Sequence, residues 1–325
     1  MIFYSLQGLG NSIINFPILS RLRASYAVTV VCFNNGSSKF FKTFHDHVIG
    51  VNSRAELVQV ARRMKSEASF TCFPTWRREL AASFFCHADK KFILRPHDNP
   101  WARGLWRFQE TAEPGIHHLE NNFNLLKHAL PEERFTHPVL KLNVANLGNL
   151  RVLGIHPTAS SPSKYYPLVF WQELIGAVAK DYDRIELYCG TSPTEIEYCE
   201  KIKGTSSLTV HVGLDFATLA SHISSTSLFI GSDSALLHLA AMMGKRSVGL
   251  WSFANFRVIY PYGGHVQVLL PTETLAAKSF EYPSQAPPYL LRASAAHAVQ
   301  VINNQVQPSF TISPRYTDPI QFYAY

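Results

Sequence analysis

Residues 228–251 read LFIGSDSALLHLAAMMGKRSVGLW, and the hydrophobic pattern changes period twice within them. LFIG is a short continuous apolar run, SALLHLAAMM spaces its apolar residues as a helix does, and SVGLW is apolar again after a Gly-Lys-Arg break. A strand, a helix and a second strand in that order form a parallel βαβ unit. Working outward, the same alternation continues through MIFYSL, AVTVVCF, SFTCF and KFIL in the first half, and through RVLGIH, RIELYCG and LTVHV before the quoted stretch. Each half therefore reads as a doubly wound α/β domain.

A chain of 325 residues exceeds what one core serves well, so two domains are expected. PEERFTHPVLKLNVANLGNL, residues 131–150, carries two prolines and little helical period and reads as the connection. This predicts an N-terminal domain over 1–148 and a C-terminal domain over 149–325. The Pro- and Tyr-rich tail from Gln305 either crosses back onto the first domain or hangs free. Two such domains facing one another would set the carboxyl ends of both sheets on a central cleft, with one substrate for each half.

Composition excludes several classes. With 46% hydrophobic and 16% charged residues the chain has ample core material, yet no apolar run approaches the ~20 residues of a membrane-spanning helix. The N-terminus enters a strand within two residues, without a basic start and cleavage site, so a cytoplasmic protein is expected. Cys32, Cys72, Cys86, Cys189 and Cys199 are odd in number and scattered, which predicts buried free thiols. A formal charge of +7 favours anionic partners. No basic block alternates with aromatics, so nucleic acid is not expected. The histidines are also scattered and form no compact ligand set, so no metal site is expected.

Three turns follow strands and precede helices. In the quoted stretch, Asp233 and Ser234 fall at helix-capping positions, and His238 follows Ser234 by four residues on the same face. Free N–H groups, a hydroxyl and an imidazole there suit an anion; an ordinary cap with a packed histidine explains the segment equally well. GIHPTASSPSKYYP, residues 154–167, leaves a strand with clustered hydroxyls and delivers Lys164 just before a proline-started helix. QGLGN, residues 7–11, opens the first helix. It has Ile13 where the dinucleotide fingerprint needs a third glycine, and the second strand closes on Cys32-Phe33-Asn34 without a carboxylate, so hydride transfer is set aside.

Taken together, GLGN, HPTASSPSKYYP and DSALLHLAAMMG, with HHLENNFNLLKHAL and YCGTSPTEIEYCEKI between them, resemble glycosyltransferase family 9, the ADP-heptose-dependent lipopolysaccharide heptosyltransferases. The resemblance spans nearly the whole chain. It implies a GT-B fold of two Rossmann-like domains and an inverting transfer from a nucleotide-diphosphate sugar to a hydroxyl of a saccharide, such as lipopolysaccharide core or another surface glycan. By the same resemblance, Lys164 neutralises the donor phosphates with Thr158 and Ser160 nearby. Glu195 meets the ribose, and Asp233, Ser234 and His238 hold the sugar and diphosphate. Gly8 and Gly10 line the acceptor side. No cofactor is implied beyond the sugar nucleotide, ADP-heptose in the family, and no metal is required when cations and helix dipoles face the leaving group. A GT-B sugar-nucleotide epimerase fits the architecture but not the motifs.

Two positions depart from the family. After Gly-x-Gly the family carries an aspartate that takes the acceptor proton, and Asn11 cannot act as a base. Asn11 is expected to cap the helix and orient a hydroxyl. RPHDNPWARGLWRF, residues 95–108, offers Asp98 and His97 as replacements, although Asp98 before Asn99-Pro100 equally suits an Asx-turn. Transfer without a dedicated base, or a nucleotide-sugar-binding or scaffolding protein that has lost transfer, are the other readings. Ala235 replaces the family's glycine after Asp-Ser, where added bulk would crowd a diphosphate or exclude positive φ. On the acceptor side, Arg77 with Trp76 and Arg78, and Arg103 with Arg95 and Arg107 near Trp101 and Trp106, suit anionic groups and sugar faces, or peripheral contact with an anionic membrane. Each is individually explained as a solvated basic surface.

Overall fold

The computed structural model describes residues 1–74, 77–94, 111–132, 150–203, 208–251, 256–263, 265–271, 293–313 and 320–324. The chain divides into two compact units: Met1–Thr136 with Arg257–Ile259, and His137–Phe256 with Tyr260–Tyr325.

The first unit alternates β1 (Ile2–Tyr4), α1 (Leu9–Ser25), β2 (Thr29–Phe33), α2 (Gly36–Phe44), β3 (Val48–Val51), α3 (Arg54–Arg63), β4 (Lys65–Thr71), α4 (Arg77–Phe85), β5 (His87–Phe92) and α5 (His118–Ala129). Its sheet order is β3-β2-β1-β4-β5, and every pair is parallel. Successive side chains of a strand point to opposite faces. Ile2 and Tyr4 of β1 accordingly join Leu6, Val31, Val51, Leu57 and Ala82 in one core cluster. Phe3, between them, stacks on Phe70 at 6.0 Å and meets Phe41 edge-on at 6.4 Å. A strand apolar on both faces must be covered on both, which is the doubly wound condition.

The second unit comprises β6 (Val152–His156), α6 (Leu168–Val178), β7 (Arg184–Cys189), α7 (Pro193–Lys203), β8 (Thr209–Val212), α8 (Phe216–Ser225), β9 (Leu228–Ser232), α9 (Ala235–Met242), β10 (Ser247–Leu250), the one-turn α10 (Phe256–Ile259, shared with the first unit), β11 (Val266–Leu270), α11 (Ala295–Ile302), β12 (Phe310–Ile312) and β13 (Ile320–Ala324). The sheet order is β12-β13-β11-β10-β9-β6-β7-β8, parallel except for β12 against β13. One face packs Leu153, Ile155, Leu187, Ile230, Val248 and Leu269 against Trp171, Leu174 and Cys199 of α6 and α7 and Val301 of α11. The opposite face carries Gly154, Glu186, Tyr188 and Phe229, with Tyr188 stacked on Phe229 at 6.1 Å.

The doubly wound α/β expectation matches each unit, the expected boundary at 148/149 lies outside the described residues, and the differences within the units have local causes. VIGV, residues 48–51, was too short to stand out in sequence but pairs with β2 through four residues. The KFIL strand begins earlier, at His87, because Lys65–Phe70 supplies its ladder partners. The tail neither crosses to the first unit nor hangs free: β13 extends the second sheet beside β11, and β12 caps that edge antiparallel. All five cysteines are buried and unbridged. Among the described residues no helix is long and apolar enough to cross a membrane.

Candidate functional site

In a doubly wound sheet, ligands bind beyond the carboxyl ends of the strands where the strand order reverses. The second unit reverses between β6 and β9: β7 and β8 follow β6 to one side, and the chain then returns to place β9 on the other. Two of the three sequence motifs converge there. His156 closes β6, and its Nδ1 lies 2.8 Å from Oγ of Ser234, which follows β9. Its Nε2 lies 3.2 Å from Oγ1 of Thr158. Lys164, at the end of a 3₁₀ turn over Pro162–Lys164, donates from Nζ to Oδ2 of Asp233 at 2.6 Å. The side chains of this ion pair are 14% and 7% exposed, so it is largely screened from solvent.

Ser234 is the N-cap of α9 by its extended backbone, as the spacing predicts, but its hydroxyl caps nothing because His156 engages it. The same holds for other motif helices. α1 and α6 also start without a side-chain cap, and none of the three has an acid in its first turn. By contrast, α2, α3, α5, α8 and α11 are capped by Asn35, Ser53, His117, Asp215 and Ser294. A helix N-terminus without a cap keeps its dipole and N–H groups available to an anion.

The histidines at this crevice are neutral. Burial pulls His156 down to about 3 and His238 down to about 4, the latter against an opposing effect of the Asp233 charge. His238 lies four residues into the helix as expected, is 4% exposed, stands edge-on to Trp251 at 6.5 Å, and holds Nε2 at 3.9 Å from Asp233 Oδ1. It contributes shape and an imidazole dipole, while the cation is Lys164. Ser160 is exposed on the loop, whereas Thr158 is fully buried. Ala235 is the first residue of α9 and is not among the positive-φ residues, so its Cβ costs no backbone strain. Glu195, in the first turn of α7, lies over Gly190: a Cβ there would come within 2.4 Å of its Oε2. Its charge also contributes, after burial, to raising Tyr165 to about 12.

The first unit reverses between β1 and β4, and the GLGN turn lies there. Asn11 does not cap the helix: Gly8 is the N-cap, and Gly10 and Asn11 are already inside α1. The helix starts earlier than the glycine pair suggests because Gly8 adopts the extended cap conformation, φ −67° and ψ 172°. Gln7 is buried; its Nε2 donates to Pro74 O at 2.8 Å and to Glu79 Oε1 at 2.6 Å. Arg78 donates from Nε to Glu79 at 2.9 Å and from a terminal nitrogen to Gln7 Oε1 at 3.0 Å. Arg77, the predicted acceptor contact, is exposed, and it is Arg78 that turns onto this network. Asp98, His97 and Arg103, with Arg95, Trp101, Trp106, Arg107 and Trp76, lie outside the described residues.

Sequence reading missed His156, Gln7 and Glu79, and gave Arg78 an anion contact in place of its bonds to Gln7 and Glu79. The first stands in the quoted HPTAS motif and could have been found by asking what the Ser234 hydroxyl would face. The other three carry no local signal, because their contact depends on pairing β1 with β4. The expectation of no compact metal-ligand set also changes on folding, since Glu186, His211 and His222 place one donor atom each within 4.8 Å of one another.

Two doubly wound units, each with an uncapped helix at its reversal point, define a GT-B protein. Known proteins place it further. The family model of glycosyltransferase family 9 (heptosyltransferase) matches residues 101–290, more than half of the chain, and the chain belongs to that family. Among solved structures, the E. coli heptosyltransferase WaaC with ADP is similar at TM-score 0.73 and 16% identity, over 94% of this chain and 99% of that one. A glycosyltransferase family 9 protein from Veillonella parvula DSM 2008 gives 0.72 and 16%, over 93% and 95%. The E. coli ADP-heptose lipopolysaccharide heptosyltransferase II gives 0.66 and 14%, over 93% and 97%. No curated protein matches in sequence.

Proposed function

We propose that this glycosyltransferase moves a heptose or related sugar, with inversion, from a nucleoside-diphosphate donor to a hydroxyl of a saccharide such as lipopolysaccharide core. The second unit is the donor domain. The observation that carries this reading is the Lys164–Asp233 ion pair at the uncapped tip of α9, joined to the β6 loop by the His156–Ser234 bond.

Glycosyl transfer builds negative charge on the departing diphosphate, so groups that meet that charge lower the barrier. An ammonium has three donors. Asp233 takes one and keeps Lys164 beside α9, leaving the others for phosphate oxygens. The N–H groups of α9 supply the second half of the cradle. Thr158 and Ser160 flank it, His238 shapes the sugar side, and Glu195 accepts from the ribose. Because the charge is met by Lys164 and a helix dipole, no metal is assigned to the transfer step. Two solved relatives of this fold are WaaC with ADP and with ADP-2-deoxy-2-fluoro heptose, which supports an adenosine diphosphate donor here.

With Asn11 unable to accept a proton, Asp98 is the assigned base, with His97 beside it. Gly8, Gly10, Arg77 and Arg103 are assigned to the acceptor side, and the basic residues also to peripheral contact with an anionic inner leaflet. Incubating the protein with ADP-heptose and a panel of other sugar nucleotides, with a saccharide acceptor, tests the reading through product formation. Saturable nucleotide binding with no product from any donor and acceptor would instead identify a binding protein that has lost transfer. Flotation with acidic vesicles tests the membrane contact, and equal flotation with neutral vesicles would refute it.

A further inference from the structure

On the face of the second sheet away from α6 and α7, three residues far apart in sequence meet beneath α8. Glu186 is in the middle of β7, His211 on β8 and His222 on α8. Glu186 is a carboxylate only 1% exposed in a position where a strand would ordinarily carry an apolar residue. Its Oε2 lies 3.2 Å from Nδ1 of His222 and 3.6 Å from Nε2 of His211.

The second of these distances is the informative one. It is too long for a hydrogen bond. Yet Nε2 of His211 is inaccessible to solvent and has no hydrogen-bond partner. A buried polar atom without a partner calls for an explanation, and one is an ion that it would bind. Two ligands each ~2.0–2.1 Å from a tetrahedral metal lie roughly 3.3–3.4 Å apart, a value that falls between the two observed separations from Glu186. The third pair, His211 to His222, closes the triangle within 4.8 Å.

The surroundings also suit an ion. Tyr188 donates its hydroxyl to Glu186 Oε2 at 2.6 Å and stacks on the His211 ring at 5.4 Å, orienting both ligands. Arg184 donates to the other carboxylate oxygen, Oε1, at 2.5 Å and so fixes the carboxylate, while Oε2 takes the Tyr188 hydroxyl and faces the imidazoles. The His211 and His222 side chains are 16% and 29% exposed, which provides an entry path from solvent.

We propose that Glu186, His211 and His222 bind a borderline divalent transition metal, with Zn²⁺ as the fitting member, fastening β7, β8 and α8 at the edge of the second sheet. Two imidazoles and one carboxylate are nitrogen and oxygen ligands that suit such an ion better than Mg²⁺ or Ca²⁺, which prefer all-oxygen sets. The site is separate from the crevice at α9 and takes no part in the transfer step.

The test uses the full chain, stripped with a chelator and titrated with ZnCl₂ by calorimetry, alongside H211Q, H222Q and the double variant. The expected result is one Zn²⁺ per chain, a higher melting temperature with the ion, and affinity reduced at least ~10-fold by each single substitution and lost in the double variant. Co²⁺ in the unaltered protein should give a visible ligand-field band that the double variant lacks. If H211Q does not fold, H222Q on the outer helix carries the comparison. Absence of stoichiometric binding by the unaltered protein, or binding and melting shifts that survive in the double variant, would overturn the proposal.

Discussion

The two reversal points of this molecule have the same topology and different chemistry. Between β1 and β4, one oxygen of the fully buried Glu79 accepts from both Gln7 and Arg78, and Gln7 is held from its other atoms as well. Between β6 and β9, Lys164 Nζ donates to Asp233, and two hydroxyls gather around a neutral His156. The first arrangement ties Gln7, Arg78 and Glu79 to one another; the second sets a cation beside the tip of α9. Identical strand order therefore does not give identical polar networks: the first unit's is a lock between its loops, and the second unit's is the proposed socket for an anion.

The largest effect that would sharpen this contrast concerns the proposed base. Asp98→Ala should lower turnover by ~10²–10⁴-fold, the usual contribution of a positioned general base, while Asn11→Asp keeps or raises it. Full turnover in Asp98→Ala would remove that assignment. Next, Lys164→Ala should cost ~10²–10³-fold in turnover with little change in melting temperature, as removal of a leaving-group stabiliser does. A clear fall in melting temperature with retained turnover would mean that the socket is another lock.

Acid separates the regions through the buried imidazoles. His156 and His238 are held at about 3 and about 4, below the unfolded value of 6.5, so the unfolded chain binds more protons below that pH. Stability is then full above pH 6.5 and falls as the pH drops toward the folded values. At pH 5 each should have cost about 2 kcal/mol. Denaturant unfolding at pH 7 and pH 5 measures this, and His238→Gln should reduce the difference by one such share. His118, lowered to about 4 by burial, adds a share in the first unit away from its reversal point.

Smaller effects probe each side. Glu79→Ala should destabilise the first unit by ~1–3 kcal/mol because it leaves buried Gln7 Nε2 without a principal acceptor, a loss read by denaturant titration. Gly190→Ala should weaken nucleotide affinity by a few-fold and leave stability nearly unchanged, since the new Cβ meets only the movable end of Glu195.

The fold was legible in sequence because buried parallel strands are continuous apolar runs, and RVLGIH, RIELYCG and LFIG could hardly be anything else. Short VIGV and the tail strands were not, since their identity depends on the ladders they join. Within the site, Lys164, Asp233 and Ser234 were legible from cap and loop chemistry. The use of the Ser234 hydroxyl was not, because a serine at an N-cap ordinarily bonds its own helix, and only the neighbouring strand diverts it to His156. The Glu186, His211 and His222 cluster was hidden for the same reason: spacings of 25 and 11 residues carry no ligand signature until β7, β8 and α8 are assembled.

The most direct test of the socket is a calorimetric comparison of ADP with AMP in the unaltered protein and in Lys164→Ala. If Lys164 and the α9 tip hold a diphosphate, ADP should bind at least ~10-fold more tightly than AMP, a difference of ~1.4 kcal/mol, and the substitution should erase most of that preference. Equal affinities for the two nucleotides, or a preference that survives the loss of Lys164, would contradict it.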